Sequence, residues 1–503
     1  MQKQFILALD QGTTGSRAFL FDQDGCIVAS DYKEFKQYFP KPGWVEHDAE
    51  EIWRSCVDVI KGVLRKSRVS SKKIAAIGIT NQRETTILWN RKTGKPVARA
   101  IVWQCRRTSD ICRKLSRHSA MFRRKTGLVM DPYFSGTKIK WCLDNIKGLR
   151  ARAQKGNICF GTIDSWLIWK LTGGKSHVTD MTNASRTLIF NIRTFQWDKE
   201  LLKILRIPSA VLPSVQNSGS IFGYTSHVGS ADLRFLPSGI PIASVLGDQQ
   251  AALYGQGCYE PGTIKNTYGT GCFIVLNTGK KLILSKQGLL STIASDAKGK
   301  PIYAIEGSIF IAGAVVQWLR DQLSIVRESS ETEKIAKGLK DTGGVYFVPA
   351  FTGLGAPYWN ALARGMICGL TRGTNPGHIT RAALESIAYQ TKDVFDIMRV
   401  ELGKQIRSLK VDGGACQNNF LMQFQADILD CEIIRPEIIE STAFGAAQLA
   451  GVTIGLWKSK KDLKKLHQIQ RVFKPKMENK KRKELCDGWK KAIGQTQADT
   501  KDL

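Results

Sequence analysis

The sequence predicts an α/β protein of two similar domains, residues 1–250 and 251–503. Three observations predict it. Strand and helix signals alternate from end to end, the pattern of sheets covered by helices. An apolar strand, a polar turn with adjacent Gly and Thr, and a further strand occur at the N-terminus and again after residue 255. The 503 residues are 43% hydrophobic, enough for two large cores, and no Pro-rich linker or low-complexity segment divides them.

Taken in order, "KQFILALD" is a strand that ends at Asp10, followed by the turn Gly12-Thr13-Thr14-Gly15. "GCIVASDY" is a second strand, so a hairpin is expected. "HDAEEIWRSCVDVIKGVLRK" is a helix: Ile52, Cys56, Val59, Ile60, Val63 and Leu64 recur at helical spacing, and Asp48, Glu50 and Glu51 sit where the helix dipole favours acids. "KIAAIGIT" is a strand again. It leads into "NQRE" and a second apolar run, "TTILW", with no Gly or Pro in the interruption. Adjacent strand residues point to opposite faces, so Arg83 and Glu84 can serve one ligand only where regular pleating stops, at a strand end or bulge. In the second half, "GTIKNTYGTGCFIVLN" repeats strand, Gly-Thr turn, strand. "SIFIAGAVVQWL" reads as a core helix, too short to span a bilayer. "GHITRAALESIAYQTKDVFDIMRV" keeps helical spacing through Leu384, Ile387, Thr391, Val394 and Met398, and "IRSLKVDGG" is a strand that closes on a double glycine before the helix "NNFLMQFQADIL".

The net charge of +30 favours anionic partners in general. The basic runs "KSKKDLKK" and "NKKRKE" lack interleaved aromatics, so they are solvated helix faces, and no specific nucleic acid is expected. Twelve scattered cysteines contain no C-x-x-C and form neither a zinc pattern nor a disulfide framework, which fits reduced thiols in the cytoplasm. "FILAL" is too short for a signal core, and no membrane insertion is expected.

Two turns carry chemistry. In "LDQGTTGSR" the glycines let the backbone approach an anion, the Thr13 and Thr14 hydroxyls can donate to phosphate oxygens, and Arg17 adds a fixed charge. Asp10 can hold Mg²⁺ through water. The spacing is not that of a Walker loop. "NTYGTGC" is the second such turn, so two turns could clamp one phosphate chain. The double glycine of "VDGGACQNN" leaves room for a flat nucleoside, with Asn418 at hand for a base or ribose. "LGDQQAALYG" sets Asp248 and Gln249 at a helix start, where a carboxylate can be a cap or a reacting group.

Together "ALDQGTTGSR", "PKPGWVEHD", "GITNQRETT", "AIVWQCRRT", "DPYFSGTK", "VTDMTNASRT", "GDQQAAL", "KNTYGTGCF", "VPAFTGLGAPYW" and "VDGGACQNNFLMQFQADIL" resemble the FGGY carbohydrate kinase family, within the actin, Hsp70 and sugar-kinase superfamily. The likeness covers nearly the whole chain. It implies two ribonuclease-H-like, actin-like ATPase domains flanking a central catalytic cleft. It implies ATP-dependent phosphorylation of glycerol to sn-glycerol 3-phosphate, with ATP and Mg²⁺ required. By the same resemblance Arg83, Glu84, Tyr133, Asp248 and Gln249 contact glycerol hydroxyls, while Trp103 and Phe273 pack on its carbons. Asp248 is then the general base, with Asp10 and Arg17 in the catalytic set. Thr13, Thr14, Gly15, Arg17, Thr270, Gly313, Gln317, Gly414 and Asn418 match nucleotide positions, and Asp10 and Asp248 arrange Mg²⁺ through waters. A homo-oligomer, dimer or tetramer, is implied as well.

The chain departs from that pattern in three places, one of them at Cys416 and Gln417 in "ACQNN". Gly15 stands where many relatives carry Ser or Thr, and residues 227–239 do not match the glycine-rich basic loop that binds fructose 1,6-bisphosphate in some relatives. Rival readings are a kinase for another small polyol or ketose, a basic nucleic-acid-binding protein on this scaffold, and a nucleotide-switched actin-like module. The pair at 83–84 argues for a polyol substrate.

Overall fold

The computed structural model describes residues 4–228, 231–360, 362–458 and 460–498. Residues 229 and 230 of the departing loop lie outside that set. The chain divides into two compact units. The first takes in the chain up to Tyr259, Ser291–Tyr303 and Ser441–Leu466; the second takes in Glu260–Leu290, Ala304–Glu440 and the chain from His467 onward. Neither unit is therefore one continuous half.

In the first unit β1 (Phe5–Gln11) pairs antiparallel with β2 (Gly15–Phe21), and β2 with β3 (Ile27–Glu34). The Gly-Thr turn thus opens a three-stranded meander rather than the expected hairpin. The missed strand, "GSRAFLF", is buried along most of both faces, so it shows none of the alternation that marks a half-exposed strand. Helix α1 (Ala49–Ser67) forms on the predicted stripe: Ile52, Cys56, Val59, Ile60 and Val63 are buried, Leu64 at the margin is partly buried, and Asp48 caps it by accepting from the Glu50 and Glu51 amides. On the other side of β1, β4 (Ile74–Asn81) and then β5 (Pro241–Gly247) run parallel to it, and the edge strand Gly223–Tyr224 closes the sheet antiparallel. The strand β5 feeds helix α2 (Asp248–Gly255).

The second unit repeats these directions. β6 (Ile264–Tyr268) is antiparallel to β7 (Cys272–Gly279), and β8 (Pro301–Ile309) follows β7 in the sheet. On the other side of β6, β9 (Ser408–Asp412) and β10 (Glu432–Pro436) run parallel, and β11 (Ile469–Phe473) ends the sheet antiparallel. Between β8 and β9 lie α3 (Gly313–Asp321) and α4 (Pro376–Leu402), and α5 (Asn419–Leu429) follows β9. Helix α4 starts in a capping box of Asn375 and His378 and buries Leu384, Ile387, Thr391, Val394 and Met398. The expected core helix over 308–319 is split: β8 runs to Ile309 and α3 begins only at Gly313. A Cβ at Gly313 would lie 2.6 Å from the Gly269 carbonyl oxygen, so glycine lets this chain cross the second Gly-Thr turn.

Behind the C-terminal ends of β4 and β5 sits a buried polar network. The amides of Asn81 and Asn183 exchange two hydrogen bonds, at 3.0 and 3.1 Å. Thr182 Oγ1 accepts from the Gly247 amide at 2.8 Å and donates to Asp180 at 2.6 Å. Nearby, buried Asp164 accepts from Thr162 and Thr179 hydroxyls at 2.5 and 2.6 Å. Burial first, then the Asp180 carboxyl, pushes Asp164 up from 3.8 to about 7. A carboxyl with a raised folded-state value contributes stability that is full below the unfolded value and lost as pH rises through the folded one. The melting temperature should therefore fall more steeply between about pH 4 and pH 7 in the native protein than in Asp164→Asn. Equal slopes in the two proteins would show that Asp164 is ionised throughout.

Candidate active site

Strand β4 stops at Asn81, and the chain turns sharply over Arg83-Glu84-Thr85. The Thr85 amide donates to the Arg83 carbonyl at 2.7 Å, and Glu84 sits at φ +61°. This is a γ-turn with a non-glycine centre, a conformation that costs energy and persists only when its surroundings enforce it. The enforcement is visible. The Glu84 carbonyl accepts from Ser135 Oγ at 2.9 Å, Thr86 Oγ1 at 3.1 Å and Lys138 Nζ at 3.4 Å. Lys138 is fully buried, also donates to the Tyr133 carbonyl at 2.5 Å, and is brought down to about 8 by desolvation.

The turn throws the two charged side chains in different directions. Glu84 Oε1 accepts from Arg186 Nε at 2.6 Å, and both groups are buried. The Arg186 guanidinium lies 5.5 Å from the Tyr133 ring centre and 5.3 Å from that of Phe134. Arg83 turns to the end of β5. Its Nε donates to Asp248 Oδ1 at 3.0 Å and its Nη1 to Gln250 Oε1 at 3.1 Å. A Cβ at Gly247 would strike the Arg83 side chain at 2.7 Å, so glycine before Asp248 keeps that path open. The Arg83 side chain is 2% exposed and that of Asp248 31%, so the carboxylate is the accessible member of the pair. Asp248 is not the helix cap: it is the first residue of α2, and Oδ1 also accepts from the Gln249 amide at 2.7 Å.

Register places the other acid. Asp10 and Leu246 both lie level with Thr80, so Asp10 and Asp248 stand at the same end of two strands that flank β4. That is the carboxyl edge where open parallel sheets take their ligands. Arg17 is the cross-strand partner of Asp10, and its guanidinium lies over Tyr32. Among the described residues no group of three or more His, Cys, Asp or Glu could hold a metal. Two carboxylates at a strand edge fit Mg²⁺, which keeps much of its water and takes further ligands from phosphate.

The first Gly-Thr turn adjoins this edge. Trp103 Nε1 donates to Thr13 Oγ1 at 2.9 Å, and the Trp103 ring meets Tyr133 edge-on at 5.6 Å. Thr13, Trp103 and Tyr133, three of the candidate residues, are thus brought together in the first unit. The turn amides of Thr13 and Thr14 have no protein acceptor among the described residues. At Gly15 a Cβ would lie 2.5 Å from the Tyr32 ring and 2.8 Å from the Lys33 carbonyl, which accounts for the departure there.

The second unit holds the remaining candidates. Gly313 and Ala314 amides donate to the Gly269 and Thr270 carbonyls at 2.9 and 3.1 Å, which seats α3 on the second Gly-Thr turn. Gln317 is one helical turn further along α3, and Phe273 is the second residue of β7. Gly414 follows β9 and is open where a side chain would be. Asn418 caps α5, accepting from the Leu421 amide at 3.0 Å while Nδ2 donates to Thr332 at 3.2 Å.

Sequence reasoning named neither Arg186 nor Gln250. A signal existed for Arg186: a buried Glu84 demands a counter-charge, and "NASRT" offers one.

A carboxylate at a strand edge, set beside a phosphate-type Gly-Thr turn on a duplicated α/β plan, defines a phosphotransferase of the sugar-kinase class. The chain belongs to the FGGY family of carbohydrate kinases, whose N-terminal domain description matches residues 5–255 and C-terminal domain description residues 264–454. It is similar to the glycerol kinase of Treponema denticola, 58% identical over 493 residues and covering 98% of each chain. It is also similar to that of Alkaliphilus metalliredigens, 56% identical over 495 residues with 98% of each chain covered. Among solved structures, the glycerol kinase of Plasmodium falciparum with ADP matches at a TM-score of 0.90 and 38% identity, covering 98% of each chain.

Proposed function

We propose that this chain is a kinase that transfers the γ-phosphoryl group of ATP to glycerol, giving sn-glycerol 3-phosphate and ADP. The observation that carries the reading is the half-open Asp248 carboxylate, held at 3.0 Å by the buried Arg83 guanidinium at the edge that bears Asp10. Asp248 takes the proton from a glycerol hydroxyl. The oxygen attacks phosphorus, the bond from phosphorus to the bridging oxygen breaks, and ADP leaves with that electron pair. Arg83, Glu84, Tyr133 and Gln249 bind hydroxyls, and Trp103 and Phe273 cover carbon. Thr13, Thr14, Gly15 and Arg17 take phosphate, while Thr270, Gly313, Gln317, Gly414 and Asn418 take the rest of the nucleotide. Mg²⁺, held by Asp10 and Asp248 through waters, would neutralise phosphate charge.

The reading includes a cytoplasmic homo-oligomer without a nucleic-acid partner. The twelve cysteines are all free thiols, as suits a reducing compartment. Among the described residues no helix is long and apolar enough to cross a membrane.

A coupled assay for ADP release, run with and without glycerol, tests the proposal. Glycerol should stimulate release saturably at or below millimolar levels, and other small polyols and ketoses much less. Each hydroxyl that a poorer substrate lacks leaves a buried partner unpaired, at about 1–3 kcal/mol. Release unaffected by glycerol would overturn the reading.

A further inference from the structure

Gln82 lies between the two turns that the reaction must align. It precedes Arg83, yet its side chain points back to the other turn. Nε2 donates to the Gly12 carbonyl at 3.1 Å and to Gln11 Oε1 at 3.1 Å. Its carbonyl Oε1 accepts from Thr85 Oγ1 at 2.9 Å. The backbone adds a third tie, since the Gln82 amide donates to the Gln11 carbonyl at 2.7 Å. One buried amide therefore grips the phosphate turn with its nitrogen and the γ-turn of Glu84 with its oxygen.

The neighbours are arranged to hold this grip. Gln11 Nε2 also donates to the Gly12 carbonyl, at 2.8 Å. Gln37 Nε2 donates to the Thr13 carbonyl at 3.1 Å, and Gln37 Oε1 lies 2.6 Å from His47 Nε2. An amide oxygen only accepts, so His47 Nε2 carries the proton and Nδ1 faces Gln82 Nε2 as an acceptor, 3.4 Å away. The carbonyls of Gly12 and Thr13 are thus held by inward donors, which fixes the turn's peptide planes.

We infer that Gln82 is a positioning residue that sets the phosphate turn Gly12–Thr14 against the substrate turn Arg83–Thr85, and so aligns the attacking hydroxyl with the γ-phosphorus. The inference rests on the proposed glycerol kinase reading. Gln82 touches neither reactant and acts through the two turns. In-line transfer is sensitive to such alignment: a misplacement of about 1 Å can cost about 10²-fold. Water needs no alignment by the substrate turn. Loss of the grip should therefore divert phosphoryl transfer from glycerol to water.

The test is the partition of ADP release between glycerol 3-phosphate and inorganic phosphate at saturating glycerol. In Gln82→Met, which keeps length and loses both hydrogen-bonding ends, the phosphate fraction should rise about tenfold or more over the native enzyme. The ATP KM should stay within about threefold. A purely structural role would lower both products together, and an unchanged partition overturns the inference. Should Gln82→Met fail to fold, Gln82→Glu keeps an acceptor for Thr85 Oγ1 and loses the Nε2 donor to Gly12 and Gln11, and its partition decides by the same criterion. The native enzyme is the control for the reading beneath: if it releases no ADP in response to glycerol, the substrate assignment fails rather than the role of Gln82.

Discussion

Asp248→Asn is expected to lower kcat for glycerol about 10²–10⁴-fold, the usual contribution of a positioned base, while the protein still folds. The two expectations come from different atoms. Asn keeps an oxygen where Oδ1 accepts from Arg83 Nε and from the Gln249 amide, so the local hydrogen-bond geometry survives. What it loses is the charge opposite Arg83 and the capacity to take a proton. Arg83 retains its bond to Gln250, so its charge keeps a polar partner. A lost charge-assisted hydrogen bond is worth about 1.5–3 kcal/mol, which a chain with two large cores can absorb. Steady-state kinetics beside a thermal melt separate the effects. A folded variant with native kcat would rule out Asp248 as the base. A variant whose KM alone rises would leave Arg83 and Asp248 as a binding pair only.

How much of the molecule was legible depended on whether the signal was local. Helices α1 and α4 could be read because a helix half in water must show an apolar stripe, and both carry capping residues where their stripes begin. Strand β2 could not, because burial on both faces erases the alternation. The helix Ser441–Thr453 belongs to the first unit although it lies far along the chain. Its run of small residues records close packing, but no local pattern says against what. The duplicated plan was legible as two Gly-Thr turns, and the sheets repeat it strand by strand through β1–β4–β5 and β6–β9–β10.

The site divides in the same way. The interruption after β4 was visible as a charged pair between apolar runs. Its conformation was not, because a γ-turn at Glu84 is enforced by Ser135 and Lys138, some fifty residues away. Partner choice was also hidden. Arg83 and Glu84 look like each other's counter-ions in the sequence, yet they lie 3.8 Å apart, while Arg186 and Asp248 approach to 2.6 and 3.0 Å. The polarity match to a triol proposed for this pair thus rests on four charges drawn from three segments.

Those four charges make the second large expectation. Arg186→Met should destabilise the protein by about 3–5 kcal/mol, the cost of stranding one member of a buried ion pair. Glu84→Gln should cost less, because its amide still accepts from Arg186 while losing the charge. The double variant Glu84→Gln/Arg186→Met decides what the pair is for. Replacing both charges by uncharged side chains of similar size removes the stranded charge, so much of the lost stability should return. Glycerol binding should not return with it. If the Glu84 carboxylate accepts a substrate hydroxyl, its loss weakens a charge-assisted hydrogen bond by about 1.5–3 kcal/mol, or about 10–100-fold in glycerol KM. ATP KM should change little, since neither residue belongs to the turn proposed to take phosphate. Melting temperatures and the two KM values, measured for both single variants and the double, complete the cycle. A double variant with native glycerol KM would assign the pair to folding alone and take Glu84 out of the substrate site. A raised glycerol KM in a stable double variant would mean that this strained, fully buried turn is retained for the hydroxyl it meets.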